Sequence, residues 1–248
     1  GVPGAHANVP LSVDDVDRAV GLHRIARGIM RALTEESGEG IDVAITDALE
    51  QVGRFCGVDR AYAFRFRDGG ALLDNTHEWC AEGITPEIDN LQGVPAEVAQ
   101  SWLDAFARDE YVFIGRVADI TDDERELREI LEAQDIQSLL VNPLRSGGDL
   151  IGFMGFDYVR EPSELSWVDL DVLLTISENV AAAIARHEAE DRLRLAEQRD
   201  AVTGLPNRPA FGELLQEAID AMRDGQQIDL RAGGAGPDGE ERRRVETG

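Results

Sequence analysis

Ile136-Gln137-Ser138-Leu139-Leu140-Val141-Asn142-Pro143-Leu144, the turn Arg145-Ser146-Gly147-Gly148-Asp149, and Leu150-Ile151-Gly152-Phe153-Met154-Gly155-Phe156-Asp157 form the stretch whose reading decides the fold. Two apolar runs separated by Ser-Gly-Gly read as neighbouring antiparallel strands, because paired glycines supply the backbone freedom that a tight hairpin turn demands. The same signal recurs upstream. From Val58 to Phe66 the apolar period is two rather than helical, and Asp68-Gly69-Gly70 joins this run to Ala71 through Cys80 as a second hairpin.

Between the hairpins the sequence predicts a short helix from Ala96 to Arg108, a strand from Tyr111 to Val117, and an acidic helix from Asp122 to Ala133 on which Glu124 can pair with Arg128. Ahead of them, Val13 to Leu33 reads as a helix capped by Ser12 or Asp14, with Val16, Val20, Ile25, Ile29 and Leu33 as an interrupted apolar stripe. After the linker Glu35-Glu36-Ser37-Gly38-Glu39-Gly40, a second helix from Ile41 to Phe55 is expected to bury Val43, Ile45, Leu49, Val52 and Phe55, and Gly57 stops it. Two helices, two strands, a mixed middle, two strands and a long helix is the order of an α+β domain, one antiparallel sheet flanked by helices.

The long helix runs from Trp167 to about Arg199, which at 1.5 Å per residue is roughly 50 Å. Its first half is expected to bury Leu170, Leu173, Leu174, Ile176, Val180 and Ile184 against the sheet. Its second half is charged, with Glu188 and Arg192, and Glu190 and Arg194, at i,i+4 spacing. Few apolar residues remain there apart from Leu193 and Leu195, so a lone helix is marginal and a parallel partner from a second copy is expected. The expectation is a homodimer paired through helices 13–33 and 167–199.

Composition narrows the function classes. At 248 residues with 43% hydrophobic content, the chain can hold one or two domains with a sizeable core. The formal charge of −25 repels a phosphate backbone or an anionic bilayer, so neither nucleic acid nor membrane is an expected partner. All 24 basic residues are arginine. Cys56 and Cys80 lack CxxC spacing and define no metal site, and a reduced, cytoplasmic setting suits them. No apolar run approaches the roughly 20 residues that span a bilayer, and no signal peptide pattern precedes the first helix. A first residue of Gly1 and an unfinished end lead us to expect a fragment of something longer.

Thr76-His77-Glu78-Trp79, Gln137 through Leu144 and Leu150 through Asp157 give about residues 18–190 a resemblance to GAF domains, and with the N-terminal helix the expected domain spans residues 13–190. The resemblance implies a sensory domain with a cavity between its sheet and its mid-region, in which different members hold cyclic nucleotides, bilins, haem, small acids or nothing. Bilin attachment in the family uses a cysteine beside the chromophore, commonly followed by His. Here Cys80 is followed by Ala81, and Cys56 falls on a buried helix, so no bilin is expected. His77 is the one candidate for a haem ligand, but its place in a strand favours a histidine bonded to a neighbour. The Asn-Lys pattern of cyclic-nucleotide members is absent, as there is no lysine, and neither cysteine has the local cation that would activate a redox nucleophile. No cofactor is therefore assigned, and an unknown small-molecule effector is expected, with Trp79, Trp102, Phe106, Phe153 and Phe156 as candidate cavity residues. The same aromatics would equally serve as plain core.

Beyond the long helix, Thr203-Gly204-Leu205-Pro206-Asn207 reads as a chain reversal, with Asn207 able to cap the helix that follows to about Met222. Asp200, Thr203, Gly204, Leu205, Asn207, Arg208 and Phe211 resemble the opening of GGDEF domains, the diguanylate cyclase family, with Val202 where that family usually has Leu. The metal-binding Asp strand and the Gly-Gly-Asp/Glu-Glu-Phe turn of that family do not follow. Residues 200–230 therefore read as an incomplete second domain, and residues 231–248, rich in Gly and charge, as a disordered tail, like residues 1–12.

The expected function is a non-catalytic sensory module of a cyclic di-GMP signalling protein, with helix 167–199 as its signalling helix. Two alternatives stay open: a GTP-converting diguanylate cyclase, if the second domain were complete, and a ligand-free dimerisation platform.

Overall fold

The computed structural model describes residues 13–198, except 37, 39 and 164, together with 205, 207, 211, 212, 215 and 216. The chain divides into two compact units, residues 1–188 and 189–248. The readings of residues 1–12 as a loose terminus, of 231–248 as a tail, and of most of the segment from Asp200 to Met222 lie outside the described residues.

Helices α1 (Val13–Glu35) and α2 (Gly40–Cys56) precede strands β1 (Arg60–Arg67) and β2 (Leu72–Cys80). Then come β3 (Val94–Pro95), α3 (Gln100–Phe106), β4 (Val112–Ile114) and α4 (Arg125–Ala133). Strands β5 (Ser138–Ser146) and β6 (Asp149–Tyr158) and helix α5 (Trp167–Glu197) complete the series. All strand pairs are antiparallel in one six-stranded sheet of order β3-β2-β1-β6-β5-β4. Both hairpins form as expected. The β5–β6 turn works because Gly147 and Gly148 take φ of 60° and 96°, a region side chains rarely enter.

The mid-region departs in detail from the sequence reading. The expected helix 96–108 is a 3₁₀ turn, Ala96–Ala99, followed by α3, and the expected strand 111–117 shrinks to the three residues of β4. Glu124 stands before α4 rather than on it. Arg128 instead bonds Asp122 at 3.2 Å and the Ile120 carbonyl at 3.0 Å. Val43 and Val20 were expected on the buried stripes of their helices, yet are 62% and 54% exposed, because Ala44 and Ile45 on α2 and Leu22 and Ala26 on α1 face the core instead.

The sheet has a core on each face. On one, α1, α2 and α5 cover Ala61, Ala63, Leu140, Met154 and Phe156. On the other, the mid-region covers Tyr62, Phe64, Leu139, Val141 and Phe153. Strand β1 thus alternates small residues toward the helices with aromatic residues toward the mid-region. Its alanines leave room for α2, and its rings fill the wider space opposite.

Gly155 and Gly53 are among the glycines that close approaches require. A Cβ on Gly155 would lie 2.2 Å from the Tyr62 ring, and one on Gly53 of α2 would lie 2.3 Å from the Trp79 ring. Helix α1 is tied to α5 by Arg18, whose Nη2 meets Asp169 Oδ1 at 2.6 Å. Lower down, Arg186 donates to the carbonyls of Leu33, Thr34 and Glu36, supplying partners at the C-terminal end of α1.

Candidate functional site

Between the sheet and the mid-region lies a cavity of about 60 Å³. Its floor is Tyr62, Phe64 and Phe153, and its roof includes Trp102 and Leu131. Phe64 stacks on Phe153 at 4.8 Å between centroids, and Trp102 meets Phe153 edge-on at 5.8 Å, so the aromatic wall is braced ring against ring. At one end the wall is polar, formed by Arg60 and Gln134.

That polar end follows from the strand register. Arg60 sits opposite Asp157 in the β1–β6 pairing, and Tyr62 sits opposite Glu78 in β1–β2, so alternation sends all four side chains toward the mid-region. Asp59 sets where β1 begins: its carboxylate accepts the N–H groups of Val159 and Arg160 at 2.8 and 2.9 Å. Arg60 is 2% exposed and Asp157 fully buried.

The Arg60 guanidinium donates through Nη1 to Gln134 Oε1 at 3.2 Å and Asp157 Oδ2 at 3.4 Å, and through Nη2 to the Thr85 carbonyl at 2.9 Å. Its Nε–H has no hydrogen-bond acceptor; Glu78 Oε1 lies 3.8 Å away. Tyr62 donates its hydroxyl to Asp157 Oδ1 at 2.9 Å. Glu78 Oε2 accepts the N–H groups of Glu87 and Ile88 at 2.9 and 3.1 Å, which pins the loop beside the cavity.

Charge in this buried setting is unevenly tolerated. Burial pushes the Asp157 carboxyl up to about 7, against the pull of Arg60 and the Tyr62 hydrogen bond. Burial opposes the Arg60 cation too, but Asp157, Cys80 and Glu78 outweigh it and keep the guanidinium charged. Burial likewise raises the Tyr62 hydroxyl well above its ordinary range.

The five aromatic candidates divide. Trp102 and Phe153 line the cavity, and Phe106 packs behind Phe153 with centroids 6.0 Å apart. Trp79 and Phe156 are not brought to it: both belong to the core under α1, α2 and α5, where Trp79 lies against Gly53 and receives Arg54 over its ring at 5.7 Å. Alternation places Phe156 there, since it follows Gly155, which faces Tyr62 on the mid-region side, by one position on β6. Arg60, Gln134 and Asp157 were missed by the sequence reading. An acidic residue, Asp157, directly after the apolar run from Leu150 to Phe156 was the one visible signal.

His77 is bonded on both ring nitrogens, Nδ1 to Thr76 at 2.9 Å and Nε2 to Asp42 at 3.1 Å, and burial lowers its pKa. It lies on the helix-covered side, away from the cavity. Neither cysteine lines the cavity. Burial pushes the thiols of Cys56 and Cys80 up to about 12 and about 11, so neither holds a thiolate near neutrality. Among the described residues no helix is long and apolar enough to cross a membrane.

Comparison with known proteins agrees with this architecture. The phycoerythrobilin-bound GAF domain of a cyanobacterial phytochrome superposes with a TM-score of 0.58 at 18% identity, covering 70% of this chain and 99% of that one. The phycocyanobilin-bound GAF domain of a cyanobacterial phytochrome gives 0.54 at 21%, covering 73% and 98%. The chromophore-binding domain of the bacteriophytochrome RpBphP3 from R. palustris gives 0.57 at 15%, covering 70% and 63%. At these identities the likeness is one of fold. No curated protein sequence matches the chain. The GAF domain model, which describes a sensory and non-catalytic unit, matches residues 41–184, more than half of the sequence, and the chain therefore belongs to the GAF domain family.

Proposed function

We propose that this chain is the sensory and regulatory part of a cytoplasmic signal-transduction protein of diguanylate cyclase type, itself without catalytic activity. The observation that carries the reading is the cavity on the mid-region face of the sheet, backed on the opposite face by the helix that leaves the domain. A molecule entering the cavity presses on Phe153 of β6, and the neighbouring residue Met154 packs on the helical layer that includes α5. Occupancy and helix position are thereby linked through one strand.

The bilins belong to the related structures. A cavity of about 60 Å³ suits a much smaller effector, and bilin attachment through Cys56 or Cys80 finds no support in their placement. The helix would carry the signal into a GGDEF-type domain opening at Asp200, the assignment resting on the motif from Asp200 to Phe211. Two copies would pair through helices 13–33 and 167–199, as the exposure of Val20, Met30 and Leu193 favours.

Native mass spectrometry of protein purified from its own cytoplasm tests the reading. A dimer carrying a mass surplus that is lost on denaturation is the expected result. A bare monomer would sink both effector retention and helix pairing. Incubation with GTP and magnesium should yield no cyclic dinucleotide.

A further inference from the structure

We propose that α1 of one copy packs against α5 of a second copy, with Arg24, Arg27 and Arg31 of the first meeting Asp171 and Glu178 of the second. This rests on the reading of the chain as a dimer paired through these helices, and names the contact that selects its arrangement.

The basic side is a stripe on α1. From His23 to Arg31 the chain carries three arginines and no carboxylate, against a formal charge of −25 overall. At about 100° per residue the three fall within roughly 60° of one another on α1, opposite the core-facing Leu22, Ala26, Ile29 and Leu33. All three are exposed, Val20 shares their sector and Met30 borders it. Among the described residues none of the three has an ion-pair or side-chain hydrogen-bond partner, whereas Arg18 on the same helix is taken up by Asp169. Helix α5 presents the opposite sign. Asp171, Glu178 and Ala182 are exposed on the sector turned away from the buried Leu173, Ile176 and Val180, and among the described residues neither carboxylate is ion-paired.

Within one copy the two helices run parallel at a nearly constant offset. Arg18 meets Asp169, 151 positions on, and Arg186 reaches the carbonyls of Thr34 and Leu33, 152 and 153 positions back. Arg27 therefore stands level with Glu178, and Val20 level with Asp171. Both charged sectors look outward, so they stay unpaired until a second copy arrives.

Two-fold symmetry then leaves two ways to cover both sectors at once. An axis in the interface running across the helices sets α1 against α1 and α5 against α5, antiparallel, with arginine facing arginine and carboxylate facing carboxylate. An axis running along the helices sets α1 against α5 of the other copy and preserves their levels. Arg27 then meets Glu178 of the partner subunit, with Arg24 and Arg31 about one turn to either side. Exposed ion pairs add little stability each, but facing like charges penalise the wrong arrangement, so charge selects the pairing while contacts of Val20 and Met30 help to hold it. Both copies of α5 consequently run in the same direction.

The test is charge reversal on the full chain, read as the dimer dissociation constant by sedimentation equilibrium. Arg24→Glu/Arg27→Glu/Arg31→Glu and Asp171→Arg/Glu178→Arg are each expected to weaken the dimer roughly tenfold or more when alone. A mixture of the two should return to within about threefold of wild type, because both contacts of the mixed dimer regain opposite charges. An α5 variant that dimerises like wild type overturns the inference, as does a mixture that fails to reassociate while each variant keeps its far-ultraviolet circular dichroism. In both cases a dimeric wild type leaves the pairing of copies standing. A monomeric wild type overturns the inference and the pairing together and frees the stripe for an acidic partner of another kind, while the mass surplus in native mass spectrometry decides separately on the effector. The single exchanges Arg27→Glu and Glu178→Arg carry the same comparison if a multiple variant does not fold.

Discussion

Arg60 and Asp157 face each other across the central β1–β6 pairing, Nη1 to Oδ2 at 3.4 Å, both effectively shut off from solvent. A buried ion pair with long geometry is poor compensation for desolvation, which is why the Asp157 carboxyl titrates near 7 rather than 4. Arg60, Tyr62 and Glu78 are the charged or titratable groups around it.

This gives a pH signature of definite sign. The folded-state value is raised above the unfolded one, so the fold holds the proton more tightly, and the stability that Asp157 contributes is fully present below about 4 and is lost as pH rises to about 7. Urea denaturation of the wild type should show a decline of about 1.4 kcal/mol per pH unit across that window relative to Asp157→Asn. Parallel curves for the two proteins would mean that Asp157 titrates normally.

Gly155→Ala should destabilise the domain by about 1–3 kcal/mol, because the new methyl would enter the Tyr62 ring, which is held in place by its bond to Asp157. Chemical denaturation measures it. Tyr62→Phe in the same background should recover little, since the clash reaches ring carbons as well as the hydroxyl.

Arg186→Ala removes donors from three carbonyls at the end of α1 and should cost about 1–2 kcal/mol. Hydrogen exchange should speed up in the last turn of α1 more than in β5 or β6. Uniform acceleration would argue that Arg186 acts on the whole fold instead.

Leu193→Glu places a charge on the part of α5 proposed to pair with a second copy, where Leu193 is 65% exposed. Light scattering should show a shift from dimer toward monomer with an unchanged thermal midpoint at matched low concentration. A variant that stays dimeric would place the pairing elsewhere.

The elements were legible because each carries a local signal. The Gly147-Gly148 turn, the period of two in β1 and the long apolar pattern of α5 are written in a few adjacent residues, and the structure has them where they were expected. The mid-region was legible only in outline. Its short pieces from Ala96 to Ile114 carry too few residues to sustain a period, and β3, two residues held beside Leu72 and Leu73, has no sequence signal of its own.

The second unit adds one detail. Asn207 was expected to cap the helix after it; its own carbonyl accepts from the Phe211 N–H, and its side chain also donates to the Glu197 carbonyl at the end of α5.

From the sequence by itself came the α+β class, the two hairpins, the family resemblance and the pool of aromatic residues from which a cavity could be made. Tertiary structure alone decided which of those residues share a face. In a sheet covered on both sides, inward and outward positions are both apolar, so alternation separates two sets without labelling them. The labels came from what packs on each set. Gly53 makes room for Trp79 under α2, and Gly155 makes room for Tyr62 under the mid-region. Across strands far apart in sequence, the register then delivered Arg60 to Asp157 and left one buried N–H without an acceptor.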